Sequence, residues 1–148
     1  MPAFTQSHLG VCVTDMERSL RFYRDGLGCA VGPRYEIDTP ISETSGDVRL
    51  VSQFVHNGDM RIELLAFASP KPIGTPSSKR YQLGLTHLSF VVDDIDTAAA
   101  HLVAHGGTIV EGTRSVQEGK VHIIFIADPD GTRIELMVMP AGHRWPWY

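Results

Sequence analysis

The sequence has little cysteine, no long hydrophobic run and no surplus of positive charge, and each absence narrows the field. Only Cys12 and Cys29 occur in 148 residues. They are too few for a disulfide scaffold, so a reduced, cytoplasmic setting is expected, with a Cys12–Cys29 bridge as the minor alternative. No stretch approaches the roughly 18 consecutive apolar residues of a membrane span. The first residues show neither the basic segment nor the apolar run of a secretory signal. No membrane association is therefore expected. Thirteen Lys and Arg against 17 Asp and Glu leave a net charge of −4. A nucleic-acid binder would normally present a basic patch, so no nucleic-acid partner is expected. Tryptophan is confined to the tail His143-Arg144-Trp145-Pro146-Trp147-Tyr148. Simple packing is the plainest role for that tail; covering a site or meeting a partner subunit are the others.

What is present is a repeat. Ser7-His8-Leu9 returns as Thr86-His87-Leu88, and Arg61-Ile62-Glu63-Leu64 returns as Arg133-Ile134-Glu135-Leu136. The histidines are 79 positions apart and the glutamates 72. Each half of the chain thus supplies one histidine near its start and one glutamate near its end. Two imidazoles and two carboxylates suit a divalent first-row metal, and all four could meet if the halves pack face to face.

Pattern reading gives each half the order strand–helix–strand–strand–strand. Residues 7–14 alternate as a strand, Asp15 reads as a helix N-cap, and Met16, Leu20, Tyr23 and Leu27 follow at helical spacing with Gly28 as the stop. Residues 29–37 predict a second strand, 38–47 a polar loop, and 48–56 with 60–67 a hairpin turned at Asn57-Gly58, expected as type I′. Residues 68–83, rich in Pro, Gly and Ser, read as a linker. The pattern then restarts: a strand over 85–92, an Asp94-capped helix to about His105, strands over 108–112, 121–127 and 132–139, and a type I turn at Asp128-Pro129-Asp130-Gly131. The domain division is 1–67, linker 68–83, 84–139, and a tail 140–148. Strand alternation puts Leu9, Val11, Val13 and Leu88, Phe90, Val92 toward the helices. His8, His87, Glu63 and Glu135 then belong on the opposite, concave face. Two carboxylates in one cavity repel unless something positive lies between them, and a divalent cation answers that demand. The competing expectation pairs Glu63 with Arg61 and Glu135 with Arg133.

These segments resemble the vicinal oxygen chelate superfamily, which includes glyoxalase I, methylmalonyl-CoA epimerase, extradiol dioxygenases and the fosfomycin and bleomycin resistance proteins. The resemblance covers about residues 5–139. It is carried by Ser7 to Val13 with Asp15 and the helix Arg18–Tyr23, by Arg61–Leu65, by Thr86–Asp93, and by Asp128–Leu136. It implies an α+β fold in which paired βαβββ modules form a curved mixed sheet around a metal-binding cavity. The implied ligands are His8, Glu63, His87 and Glu135, and the implied cofactor is one divalent ion of Ni, Co, Zn, Mn or Fe.

Four protein ligands on an octahedral ion leave two adjacent positions for a substrate with vicinal oxygens. The expected chemistry is removal of a proton next to a carbonyl with stabilisation of an enediolate, as an isomerase, epimerase or lyase. The base in glyoxalase I-like sites is a ligand glutamate, here Glu63 or Glu135. In the epimerases it is a carboxylate before the hairpin, for which Asp47 stands nearest and Glu43 is weaker. The alternatives are an Fe(II)-dependent extradiol-type dioxygenase using His8, His87 and Glu135, and a small-molecule binding or resistance protein. A homodimer is expected, because small curved-sheet domains commonly bury a sheet edge against a copy.

Overall fold

The computed structural model describes residues 1–143; of the aromatic tail, only His143 falls among the described residues. The chain divides into two compact units, Met1–Gly74 and Thr75–Tyr148, called below the first and second modules. Among the described residues no helix is long and apolar enough to cross a membrane.

The first module runs β1 (Leu9–Val13), α1 (Met16–Leu20), β2 (Ala30–Ile37), β3 (Arg49–Asn57) and β4 (Met60–Ser69). Its sheet order is β1-β4-β3-β2. β1 lies parallel to β4, and the other neighbours are antiparallel. Asp15 caps α1 as expected, its carboxylate accepting the Arg18 N–H at 2.9 Å. The helix then widens into a π-helical segment, Arg21–Gly26, closed by the Leu27 N–H donating to the Phe22 carbonyl. The widened turn brings Phe22 onto the buried face beside Leu20 and Tyr23, which a strict 3.6-residue spacing does not foresee. Gly28 ends the segment with φ +68°.

The second module runs β5 (Leu88–Val91), α2 (Ile95–Ala104), β6 (Thr108–Ile109), β7 (Ser115–Gln117), β8 (Val121–Ala127) and β9 (Arg133–Val138). Its sheet order is β5-β9-β8-β6, with β7 also paired to β8. α2 buries Ile95, Ala99 and Leu102, a spacing that keeps one helical stripe against β8 and β9. Both modules are therefore α+β, with few helices and an open mixed sheet each.

Three local expectations are corrected. The Asn57-Gly58 hairpin turns on Gly58 and Asp59, since Asn57 pairs with Met60. Only Gly58 has positive φ, +56°, the pattern of a type II′ turn rather than I′. The strand expected over 108–112 stops at Ile109, and part of the loop expected before residue 121 forms β7. Gly112, at φ +73°, turns the chain between them. The Thr113 hydroxyl spans the break by accepting the Phe125 N–H and donating to the Val110 carbonyl. β2 is bulged between Val31 and Arg34 at the comparable place. There the Gln53 side-chain amide donates to the carbonyls of Gly32, Pro33 and Phe54.

Asp94 caps α2 by accepting the Thr97 N–H at 2.7 Å. Hydrogen bonding to Thr97 holds its carboxyl below the usual carboxylate range. A carboxyl depressed in the fold contributes stability above its unfolded pKa, near about 4, and loses it as pH falls through the folded value. Asp94→Ala is expected to lower the thermal midpoint at pH 7 and to differ less from the parent at pH 3. Circular dichroism melts at the two pH values check this.

Candidate functional site

The site is built twice, once in each module, on the same strand register. In the first module Glu63 on β4 lies opposite Gly10 of β1 on one side and Phe54 of β3 on the other. In the second, Glu135 on β9 lies opposite Ser89 of β5 and Phe125 of β8. Each histidine stands one residue before its strand, His8 before Leu9 and His87 before Leu88. Ile62 and Leu64 are fully buried around a partly exposed Glu63, and Ile134 and Leu136 flank Glu135 in the same way. The alternation expected of these strands therefore holds.

The structure brings each histidine to its module's glutamate. His8 Nε2 lies 3.1 Å from Glu63 Oε2, and His87 Nε2 lies 3.5 Å from Glu135 Oε2. In both modules the preceding hydroxyl engages the other ring nitrogen: Ser7 Oγ is 3.0 Å from His8 Nδ1, and Thr86 Oγ1 is 2.7 Å from His87 Nδ1. Each imidazole also meets a phenylalanine edge-to-face at 5.2 Å, Phe54 in the first module and Phe125 in the second. A second hydroxyl holds each carboxylate. Ser52 donates to Glu63 Oε1 at 2.5 Å, and Ser89 donates to Glu135 Oε2 at 2.8 Å. The two serines occupy different strands, so the repeat conserves the hydrogen bond without conserving its position.

Glu135 differs from Glu63 in being covered. Its side chain is 10% exposed against 21% for Glu63. The cover comes from the stretch read as a linker: its first two residues continue β4 to Ser69 and the rest forms no helix or strand, yet Arg80 packs on this face. Arg80 Nη2 reaches to 3.6 Å from Glu135 Oε1, and its guanidinium lies 4.5 Å over the Phe125 ring. Arg133 does not pair with Glu135 as the competing expectation had it; it donates to the Ser78 carbonyl and also lies over Phe125. Sequence reading missed Arg80, Ser52 and the two phenylalanines. The phenylalanines carried a faint signal, lying nine and ten positions before their glutamates.

Asp47 is not brought to the His8–Glu63 pair of its own module. It is exposed, and its backbone carbonyl accepts from Ser69 at the far end of the β3–β4 pair. Seven residues separate it from Phe54, about 20 Å along a strand. Arg114 pairs with Asp96, and His122 is exposed. Cys12 and Cys29 are not joined in a disulfide; Cys12 is exposed, and burial pushes the Cys29 thiol up to about 11.

The donor set fits a divalent first-row ion. Imidazole nitrogen and carboxylate oxygen held about 2.1 Å from such an ion at a right angle stand about 3 Å apart, close to both observed separations. The Nδ1 contacts leave each Nε2 turned to the carboxylate, the arrangement that orients a metal-binding histidine. Among the described residues no group of three or more His, Cys, Asp and Glu side chains is gathered where it could hold an ion; each module gathers two, its histidine and its glutamate.

Residues 5–136 match the Glyoxalase/Bleomycin resistance protein/Dioxygenase superfamily, and the chain belongs to it. The uncharacterized protein YaeR of Escherichia coli K12 is 36% identical over 130 residues, covering 87% of this chain and 92% of that one. A lactoylglutathione lyase of Neisseria meningitidis serogroup A is 28% identical, covering 91% of each. The crystal structure of a glyoxalase family protein from Bacillus cereus has a TM-score of 0.75 at 20% identity, covering 95% of this chain and 97% of that one; that likeness speaks to fold alone.

Proposed function

We propose that the protein is a metal-dependent isomerase, epimerase or lyase that removes a proton next to a carbonyl in a small molecule with vicinal oxygens. The observation that carries this reading is the repeated pair: in each module a hydroxyl-anchored histidine faces a hydroxyl-anchored glutamate. Two such pairs, His8 with Glu63 and His87 with Glu135, supply the ligands for one ion of Ni, Co, Zn, Mn or Fe, either within one chain or across a homodimer. A relative named lactoylglutathione lyase supports the lyase chemistry. Bound there, the ion supplies Lewis acidity toward two neighbouring substrate oxygens.

The chain's own residues divide the remaining work. Glu135 is fixed by Ser89, His87 and Arg80, and serves as a rigid ligand. Glu63 has fewer anchors and about twice the exposure, so it is the carboxylate able to leave its resting place and take a proton from the substrate carbon. Ser52 holds Glu63 Oε1 and leaves Oε2 on the His8 side. Asp47 is the weaker base, for its separation from the His8–Glu63 pair of its own module.

The test is elemental analysis of protein purified without chelators, followed by deuterium exchange at the α-carbon of 2-oxoaldehyde thiol adducts and acyl-CoA thioesters. About one equivalent of nickel, cobalt, zinc or manganese, with metal-dependent exchange, is expected. Oxygen-sensitive ferrous iron with oxygen consumption would replace this reading with a dioxygenase. No metal bound and none taken up on titration would replace it with a binding or resistance protein.

A further inference from the structure

Arg133 is left unused by this chemistry, and its surroundings are unusual. The residue is only 7% exposed, and an arginine keeps its charge at any pH at which proteins are handled. Nη1 donates to the Ser78 carbonyl at 2.6 Å, and the guanidinium lies 4.3 Å over the Phe125 ring. Nε, also buried, has no hydrogen-bond partner. The ion pairs of the second module among the described residues join His87 and Arg80 to Glu135 and Arg114 to Asp96, and Arg133 is in none of them. No carboxylate among the described residues closes an ion pair with it, and a buried charge that lacks close pairing is disfavoured, so an anion entering beside it would complete its surroundings.

A place for one adjoins it. Arg133 lines an open pocket of about 300 Å³ together with Thr75, Ser77, Ser78 and Asp130, with Pro76 as an apolar wall. The hydroxyls of Thr75 and Ser78 are donors suited to an oxyanion, while the Ser77 hydroxyl already donates to the Lys79 carbonyl. Asp130 supplies an opposing carboxylate, which favours a ligand that carries a hydroxyl or amine beside its anionic group. The backbone that shapes this wall is fixed by the Asp128 turn, whose carboxylate accepts the N–H groups of Asp130 and Thr132.

We propose that this pocket is an anion subsite, taking a carboxylate or phosphate with Arg133 as its counter-ion. Arg133 lies two residues from Glu135 on the same face of β9. In the reading that rests on the proposed function, the bound group is therefore the acidic end of the substrate. The subsite itself needs no metal and is tested without one.

The full chain, stripped of metal and returned to chelator-free buffer, is titrated with sodium acetate and separately with inorganic phosphate. Ionic strength is held constant with sodium chloride. The Arg133 Nε–H resonance is followed by NMR and assigned through its bonds to the Arg133 side-chain and backbone nuclei in the wild-type protein. A saturable shift at millimolar anion is expected, and the anion that produces it identifies the group as carboxylate or phosphate. By calorimetry, Arg133→Met is expected to weaken that anion about tenfold or more. Asp130→Asn is expected to tighten it about two- to threefold by removing like charge. A wild-type resonance that responds to neither anion beyond the chloride control overturns the proposal, even if Arg133→Met does not fold. Equal affinity in wild type and a folded Arg133→Met overturns it as well. Failure of metal uptake at the His–Glu pairs leaves this result unaffected, so the two readings fail separately.

Discussion

Glu135→Ala is expected to leave a folded protein that no longer holds its metal. The carboxylate is the hub of the second module's site: Oε2 faces His87 and accepts from Ser89, and Oε1 faces Arg80. Removal of a group that only orients a ligand commonly costs ten- to a hundredfold in metal affinity, so loss of the ligand itself should cost at least about a hundredfold. Activity should fall with the bound metal. The fold has reason to survive, because Ile134 and Leu136 carry the packing of β9 against β8 and β5 and are untouched. Alanine removes a nearly buried charge together with its anchors, and Arg80, 43% exposed, is free to turn to water. Metal content by elemental analysis and near-ultraviolet circular dichroism are measured on the same preparation. A folded variant that keeps its metal would sink the ligand assignment. Glu63→Ala provides the comparison: it should also lose metal, and any metal forced back at high concentration should not restore proton exchange, because the proposed base is gone.

The histidines and glutamates were legible because two independent regularities point at them. The repeat marks their positions, and strand alternation fixes their face: Glu63 and Glu135 sit between apolar neighbours that the core requires. The N-caps Asp15 and Asp94 and the Asp128–Gly131 turn were legible because each depends on contacts between near neighbours. Arg80 was not legible. It lies in a Pro- and Gly-rich stretch with no period to place a side chain, and only tertiary contact with Phe125 and Glu135 reveals its role. Ser52 was hidden for another reason. Ser52 and Ser89 perform the same task from non-equivalent strands, so alignment of the two halves cannot find one from the other. The hairpin shows the limit of a short motif. Asn57-Gly58 signals a tight turn correctly, but the pairing of Asn57 with Met60 moves the turn one residue along and changes its type. The edge strand over 108–112 failed because its continuation depends on where Thr113 finds its partners, Val110 and Phe125, across the sheet.

Phe125→Ala should be the most destabilising single change in either site. The ring is fully buried opposite Glu135, touches His87 edge-on, and lies beneath the guanidinium groups of Arg80 and Arg133 at 4.5 and 4.3 Å. Truncation of a buried phenylalanine costs about 3–5 kcal/mol through lost transfer energy and the cavity left behind. Each cation–π contact adds about 0.5–2 kcal/mol, more where the cation is desolvated, as Arg133 is. At about 2–4 °C per kcal/mol for a chain of this size, the thermal midpoint should fall by on the order of 10 °C or more. Phe54→Ala is the internal control. Phe54 also meets its histidine at 5.2 Å, but it is only half-buried and carries no arginine, so its cost should be clearly smaller. Equal losses would mean that the arginine stack contributes nothing. Phe125→Leu separates volume from the aromatic face. It should recover much of the midpoint, yet it removes the ring that steadies His87 and both arginines, so metal affinity and the anion response at Arg133 should stay impaired. Recovery of stability and of both binding signals together would show that Phe125 only fills space.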